Sequence, residues 1–369
     1  MKETLFALSN ILAIATGAVS SLRSGLHEPV GLERRSEYEA AADTWALEKF
    51  TSLVGFGDSY KDDSRLASFV YNNNTAPPVG WVNPANYESA SGRRSWPQYV
   101  AQYTGANVYN YAVIGAVCSN DITPRWFAYT NAPFPAVKEY EIPAYIADSQ
   151  HVNQNGTKFM MNPQNETVYS IFIGTNDLGN YAFISDAQVL GTTIVDYIEC
   201  VFDAIQSVYD NGGRYFVLQN VALLHLAPQY GLPGKGGLAT TKNWPDKPDN
   251  ITEISFKMLE YVLMVNKIYE YQTPYLVKIA KRFPGVNIAV MDINGLLTDI
   301  YDKPSEYLNG TSTLNVTGYS DSAETSHLDP DSFMWYDVLH PSEQVQRVIA
   351  CEFVNVVGGS SKWATYWSG

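Results

Sequence analysis

The chain has 369 residues, 46% hydrophobic and 17% charged, and carries a formal net charge of −14. This is the composition of a globular protein, and the length suits one large α/β domain with insertions. The acidic balance argues against nucleic acid or an anionic membrane surface as partner, because both need clustered Lys and Arg. Solubility in an acidic or extracellular medium is the simpler reading.

In chain order, the first element is a leader. "MKETLFALSNILAIATGAVSS" sets Lys2 ahead of a short apolar core from Leu5 to Ala15, with small residues at Ala18 and Ser20. This predicts a secretory signal peptide over residues 1–20, too short to span a membrane. Residues 21–48 read as an N-terminal segment or pro-region. Arg34-Arg35 is either a dibasic processing point or two solvated arginines. A single domain is expected over 49–369.

Strands are predicted at 53–57, 107–113, 168–174, 215–221 and 287–293, with nearly continuous apolar runs as in strands covered on both faces. Between them lie helical patterns. Over 192–209 the residues Ile194, Val195, Ile198, Val201, Phe202, Ile205 and Val208 form a 3.6-residue stripe, ended by Asn211-Gly212-Gly213. Residues 251–283 are expected to be helical with a break at Thr273-Pro274. A last helix opens at Pro341-Ser342, with Ser342 as N-cap, Glu343 in the first turn, and Val345, Val348 and Ile349 on the buried edge. This alternation implies a parallel sheet with helices on both sides, whose ligands bind beyond the C-terminal strand ends. Three irregular insertions, 61–95, 225–250 and 301–332, interrupt the pattern, and at least one is expected to wall a substrate site.

Four strand-end or loop motifs carry possible chemistry: Gly57-Asp58-Ser59; "NYAVIGA" with Gly115; "IFIGTND" with Asn176; and "WYDVLHP" with Asp337 and His340. A serine hydroxyl becomes a nucleophile once a histidine takes its proton, and a carboxylate on the far imidazole nitrogen fixes the tautomer. Backbone N–H groups and an Asn amide can hold the developing oxyanion, one side-chain donor contributing about 3 kcal/mol. Asp337 and His340 are three residues apart, so one loop pinned by Pro341 can carry both. Lys61 breaks the G-x-S-x-G elbow of α/β-hydrolases. Each motif alone has an ordinary reading: Ser59 as a turn residue, His340 as a cap, Asn176 beside Asp177 as an Asx turn, Gly115 as a close-packing position. All four in order outweigh those readings.

On these motifs the chain resembles the GDSL/SGNH hydrolases. "GFGDSYKDD" matches the family's first block, "NYAVIGA" the second, "FIGTND" the third and "DVLHP" the fifth, over roughly residues 50–353. Tyr60 stands where the family name has Leu, and Ile114 where small residues are common. The resemblance implies a three-layer α/β/α, flavodoxin-like fold with a mostly parallel central sheet. It implies a Ser59–His340–Asp337 triad, an oxyanion hole from the Ser59 and Gly115 N–H groups and the Asn176 side chain, and no metal or organic cofactor. "WYDVLHPSEQ" and "NYAVIGAVCSN" further resemble secreted fungal acetyl esterases of carbohydrate esterase family 16, which act on acetylated xylo-oligosaccharides. A lipid esterase or lysophospholipase of the same fold is the first alternative, although the insertions hold no strongly amphipathic lid. A catalytically silent sugar-binding protein is the second, disfavoured by retention of every triad member. The oligomeric state is not legible, a monomer being the default.

Six N-x-[ST] sequons, at Asn73, Asn155, Asn165, Asn250, Asn309 and Asn315, add to the leader in pointing to a glycosylated secreted protein. Cys118, Cys200 and Cys351 are too few for a disulfide scaffold or a zinc site. One bridge is expected; Cys118 with Cys200 is favoured, with all three pairings open. His27, His151, His225 and His327 read as structural or surface residues, and 231–240 as a loop near the site rather than a phosphate loop. The acids Asp58, Asp62 and Asp63 lack calcium-loop spacing and read as a solvated face. Among 8 Trp, 26 Tyr and 15 Phe, residues such as Trp81, Trp96, Trp126 and Trp244 are candidates for stacking on sugar rings, though most aromatics belong to the core.

Overall fold

The computed structural model describes residues 45, 47–84, 89–128 and 130–369, all within one compact unit, Asp43–Gly369. The leader, Arg34-Arg35 and His27 lie outside the described residues. The centre is a six-stranded sheet of β1 (Ser52–Gly57), β2 (Asn107–Asn110), β3 (Thr167–Phe172), β4 (Tyr215–Gln219), β5 (Asn287–Met291) and β6 (Ala364–Ser368), in the order β6-β5-β4-β3-β1-β2. β1 to β5 run parallel and β6 is antiparallel to β5. β1, β3 and β4 are buried along their whole length. That burial explains their nearly continuous apolar character, since helices cover both faces.

Six helices matter for the site: α1 (Arg65–Tyr71), α2 (Trp96–Thr104), α3 (Ile142–Gln150), α4 (Ile194–Asp210), α5 (Ile251–Pro274) and α6 (Ile293–Asp302), followed by α7 (Glu343–Val357). α2 packs on α7, whereas α4 packs on α3 and α5. For α2 against α3, α4 and α5 this division follows from right-handed crossovers between parallel strands; α7 leads into the antiparallel β6, to which that rule does not apply. The chain moves one way across the sheet from β1 to β2 and the other way thereafter, so the connecting helices fall on opposite faces. The reversal puts the topological switch at β1, between β2 and β3, where open α/β sheets bind ligands.

All five predicted strands are present, their ends shifted by a few residues. The run predicted to 113 leaves the ladder at Asn110, yet the Tyr111 and Val113 N–H groups still bond to Gly55 O and Gly57 O. β6 was not predicted; its ATYWS pairs in register from Ala364↔Met291 to Ser368↔Asn287. The predicted break at Thr273-Pro274 is corrected. Pro274 keeps helical angles (φ −61°, ψ −36°) and the chain runs on as a π-turn over Tyr275–Ile279. α7 opens as expected, with Ser342 Oγ accepting from Val345 N–H at 3.3 Å. α4 begins with a capping box between Thr193 and Asp196.

Candidate active site

β1 ends on Gly57 at φ +146°, where an added Cβ would sit 2.0 Å from the Phe172 carbonyl oxygen of β3. Only glycine lets the two strands stay paired there while the chain turns out of the sheet. The turn that follows carries Asp58 and Ser59, closed by the Lys61 and Asp62 N–H groups donating to Asp58 O at 3.0 and 3.1 Å. Ser59 Oγ lies 2.8 Å from His340 Nε2, across 281 residues of sequence. His340 Nδ1 lies 2.9 Å from Asp337 Oδ1.

The same Asp337 oxygen accepts the Leu339 and His340 backbone N–H groups at 2.9 and 2.8 Å. Burial alone would raise the Asp337 carboxyl, but the charge and hydrogen bond of His340 and these N–H donors outweigh it and hold the group well below the usual carboxylate range. An ionised carboxylate only accepts, so Nδ1 carries the imidazole proton and Nε2 is left as the acceptor facing the Ser59 hydroxyl. The Asp-x-x-His spacing produces this local ring because the carboxylate folds back onto N–H groups two and three residues on.

The second and third motifs converge on the same strand ends. Asn176 sits in the short helix Thr175–Leu178 after β3, and its Nδ2 donates to Ala116 O at 2.9 Å, which ties it to the residue after Gly115. Gly115 has φ +89°, with its carbonyl held by Arg125 at 3.0 Å. Among the described residues, neither the Ser59 nor the Gly115 N–H group has a hydrogen-bond partner, so both are available as donors.

Several residues to which the sequence reading gave no role in the site hold this geometry. Asp62 accepts from the Ser64, Arg65 and Leu66 N–H groups at the start of α1 and from Ile114 N–H at 2.7 Å, linking the first motif to the glycine motif. Its Asp-x-Ser pattern before a helix was the available signal. Glu141 Oε2 accepts from Gly57 N–H at 2.8 Å. Tyr60 donates its hydroxyl to Leu339 O at 2.8 Å, strapping the Ser59 turn to the His340 loop. Lys61 is fully buried and donates to Phe56 O, Ser170 O and Ser170 Oγ. Burial drives the lysine well below, and Glu141 well above, their ordinary values, each opposed by the other's charge.

The solvated face expected for Asp58, Asp62 and Asp63 is therefore wrong: they are 1%, 1% and 9% exposed. Asp58 Oδ1 accepts from Tyr60 N–H, Asp62 from four backbone N–H groups and Asp63 from the Asn83 and Gln98 amides, a use that composition does not reveal. Of the four tryptophans, Trp96 and Trp244 are core residues, packed on Phe353 and Tyr230. Trp81 lies against the Arg65 guanidinium, while Trp126, next to Arg125, is 56% exposed. Insertion 225–250 reaches the site, with Gln229 N–H donating to Val338 O and Lys242 meeting Asp337. Cys118 and Cys200 form the disulfide, leaving Cys351 free, and Cys118 N–H donates to Asp177 beside Asn176.

Residues 53–353 match the family model of the GDSL-like lipase/acylhydrolases. An acetylesterase of Hypocrea jecorina is 39% identical over 86% of this chain and 92% of its own length. One from Thermothelomyces thermophilus is 23% identical over 84% and 88%. Among solved structures, an acetylxylan esterase from Geobacillus stearothermophilus superposes with a TM-score of 0.42 at 13% identity, covering 85% of this chain and 96% of that one. The chain belongs to the GDSL-like lipase/acylhydrolase family and is a carboxylic ester hydrolase.

Proposed function

We propose that the protein is a secreted acetylesterase that removes acetyl groups from carbohydrate, with acetylated xylo-oligosaccharides as the preferred class. The observation that carries the reading is the 2.8 Å approach of Ser59 Oγ to an imidazole whose far nitrogen is bound to Asp337. Ser59 attacks the ester carbonyl carbon while His340 takes the hydroxyl proton. The Ser59 and Gly115 N–H groups and the Asn176 amide receive the oxyanion. Collapse breaks the bond to the sugar oxygen, His340 protonates that oxygen, and acetyl remains on Ser59. Water then attacks, again giving its proton to His340, and acetate leaves with Ser59 restored. The 39% identical relative named an acetylesterase supports the acetyl preference.

Secretion rests on the leader, the Cys118–Cys200 bridge and the sequons. Asn73, Asn155, Asn165, Asn250 and Asn309 are exposed and Asn315 is half-buried, so we assign glycans to these positions on accessibility. Among the described residues no helix is long and apolar enough to cross a membrane. Hydrolysis of acetate, butyrate and palmitate esters, run beside acetate release from acetylated xylo-oligosaccharides, tests the substrate assignment. Acetyl esters are expected to have the highest kcat/KM; a clear palmitate preference would instead make the protein a lipid esterase.

A further inference from the structure

Lys242 belongs to none of the family motifs, yet it is the cation placed against the carboxylate of the Ser59–His340–Asp337 hydrogen-bond chain.

 Its Nζ lies 3.3 Å from Asp337 Oδ2, the oxygen that His340 does not use, and 3.6 Å from Asp321 Oδ2. Three separate segments meet there: the insertion 225–250, the insertion 301–332 and the Asp337–His340 loop. The position is built rather than incidental. Thr241 and Trp244, both buried, flank Lys242 and exchange backbone hydrogen bonds in both directions, while Thr241 Oγ1 donates to Gln229 Oε1 at 3.2 Å. Asp321 N–H is fixed to Tyr336 O at 2.7 Å.

We propose that Lys242 is a positioning residue of the hydrolytic site, its ammonium holding the outer oxygen of Asp337 and setting how readily His340 carries a proton. The inference rests on the triad reading given above. Asp337 Oδ1 has three donors, whereas Lys242 is the one side chain among the described residues that pairs with Oδ2. Partial burial works against the ammonium, but Asp337 and Asp321 outweigh it and raise Lys242 above its ordinary value, so the cation persists through neutral pH. A fixed positive charge beside the Asp337–His340 pair disfavours the imidazolium and keeps Nε2 free to accept the Ser59 proton at lower pH.

Other groups face the same pair. Asp58 on the nucleophile turn acts on His340, and Tyr60 lies with its ring 5.9 Å from the imidazole. Tyr230 acts on Tyr60, while Tyr336 and Asp321 act on Lys242. Lys61 and Arg125 act on the Asp58 side. Lys242 and Asp321 are more than 40% exposed and meet solvent salt, which the buried groups do not.

The test is the pH profile of kcat/KM on a small acetate ester for the wild type, K242Q, K242R and D321N, at low and high salt. K242Q is expected to move the acid limb upward by about half a pH unit, the scale of an exposed ion pair. K242R should restore the wild-type limb, and D321N, which removes a negative charge, should move it the other way. High salt should bring the wild-type limb toward that of K242Q. A folded K242Q whose acid limb coincides with the wild type overturns the role of Lys242 and leaves the triad intact. Turnover surviving in S59A, measured alongside, overturns the triad reading and this inference with it.

Discussion

Tyr60 follows Ser59 where the family name has leucine, and its hydroxyl bond to Leu339 O shows what the change provides. A leucine could fill the space, but only the phenol also straps the turn to the loop that carries His340. Asn176 is the residue whose chemistry is most separable from its packing. Its amide bonds Ala116 O with one N–H and has a second to offer an oxyanion. N176A is expected to lower kcat on a small acetate ester by about 10²–10³-fold with little change in KM, the pattern of a donor used in the transition state. N176D keeps the shape without the N–H donors and should be similarly slow. Wild-type kcat in either folded variant would remove Asn176 from the oxyanion site.

At the scale of elements, the strands with continuous apolar runs are legible because burial on both faces leaves no other pattern open to them. Ser342 and the 3.6-residue stripe of α4 are legible for the same kind of reason: each is a local rule written in neighbouring residues. β6 is not, because its five residues gain their hydrogen bonds from β5, more than 70 positions away in sequence. The continuation of α5 through Pro274 is not either: the π-turn buries Leu276 and Val277, a tertiary contact that the local rule for proline does not contain. The four motifs of the candidate site are legible as residue types in order. What holds them together is less so: Asp62, Glu141 and Lys61 resemble surface charges in sequence and are buried only because the two strand ends and α1 close over them. The insertion 225–250 is visible as an irregular stretch, but its contribution of Lys242 is a matter of tertiary contact alone.

For the whole molecule, burying so many acids ties stability to pH. Burial pushes Asp177 up to about 7 and Asp63 up to about 6, and raises Asp58, Asp62 and Glu141 as well. An unfolded aspartate titrates near 4, so between about pH 4 and 7 the folded chain binds more protons than the unfolded one, and stability falls as pH rises through that window. Asp337 works in the opposite sense: its carboxyl is held low, so its contribution is present above about pH 4 and is lost as the medium becomes more acidic. The net charge of −14 adds repulsion in the same direction as the buried acids. Tm is therefore expected to be higher at pH 5 than at pH 7.5, and D177N should flatten that decline. A Tm that rises across the interval, or a D177N slope equal to the wild type, would contradict this account.

The central claim is that Ser59 carries the acyl group, and covalent labelling measures it most directly. The purified protein is treated with a serine-directed organophosphate and followed by intact mass, peptide mapping and residual esterase activity. One adduct per chain on the Ser59 peptide, with activity lost in proportion to labelling, is the expected result. Full inactivation with the label on another residue, or full activity with Ser59 completely labelled, would contradict it.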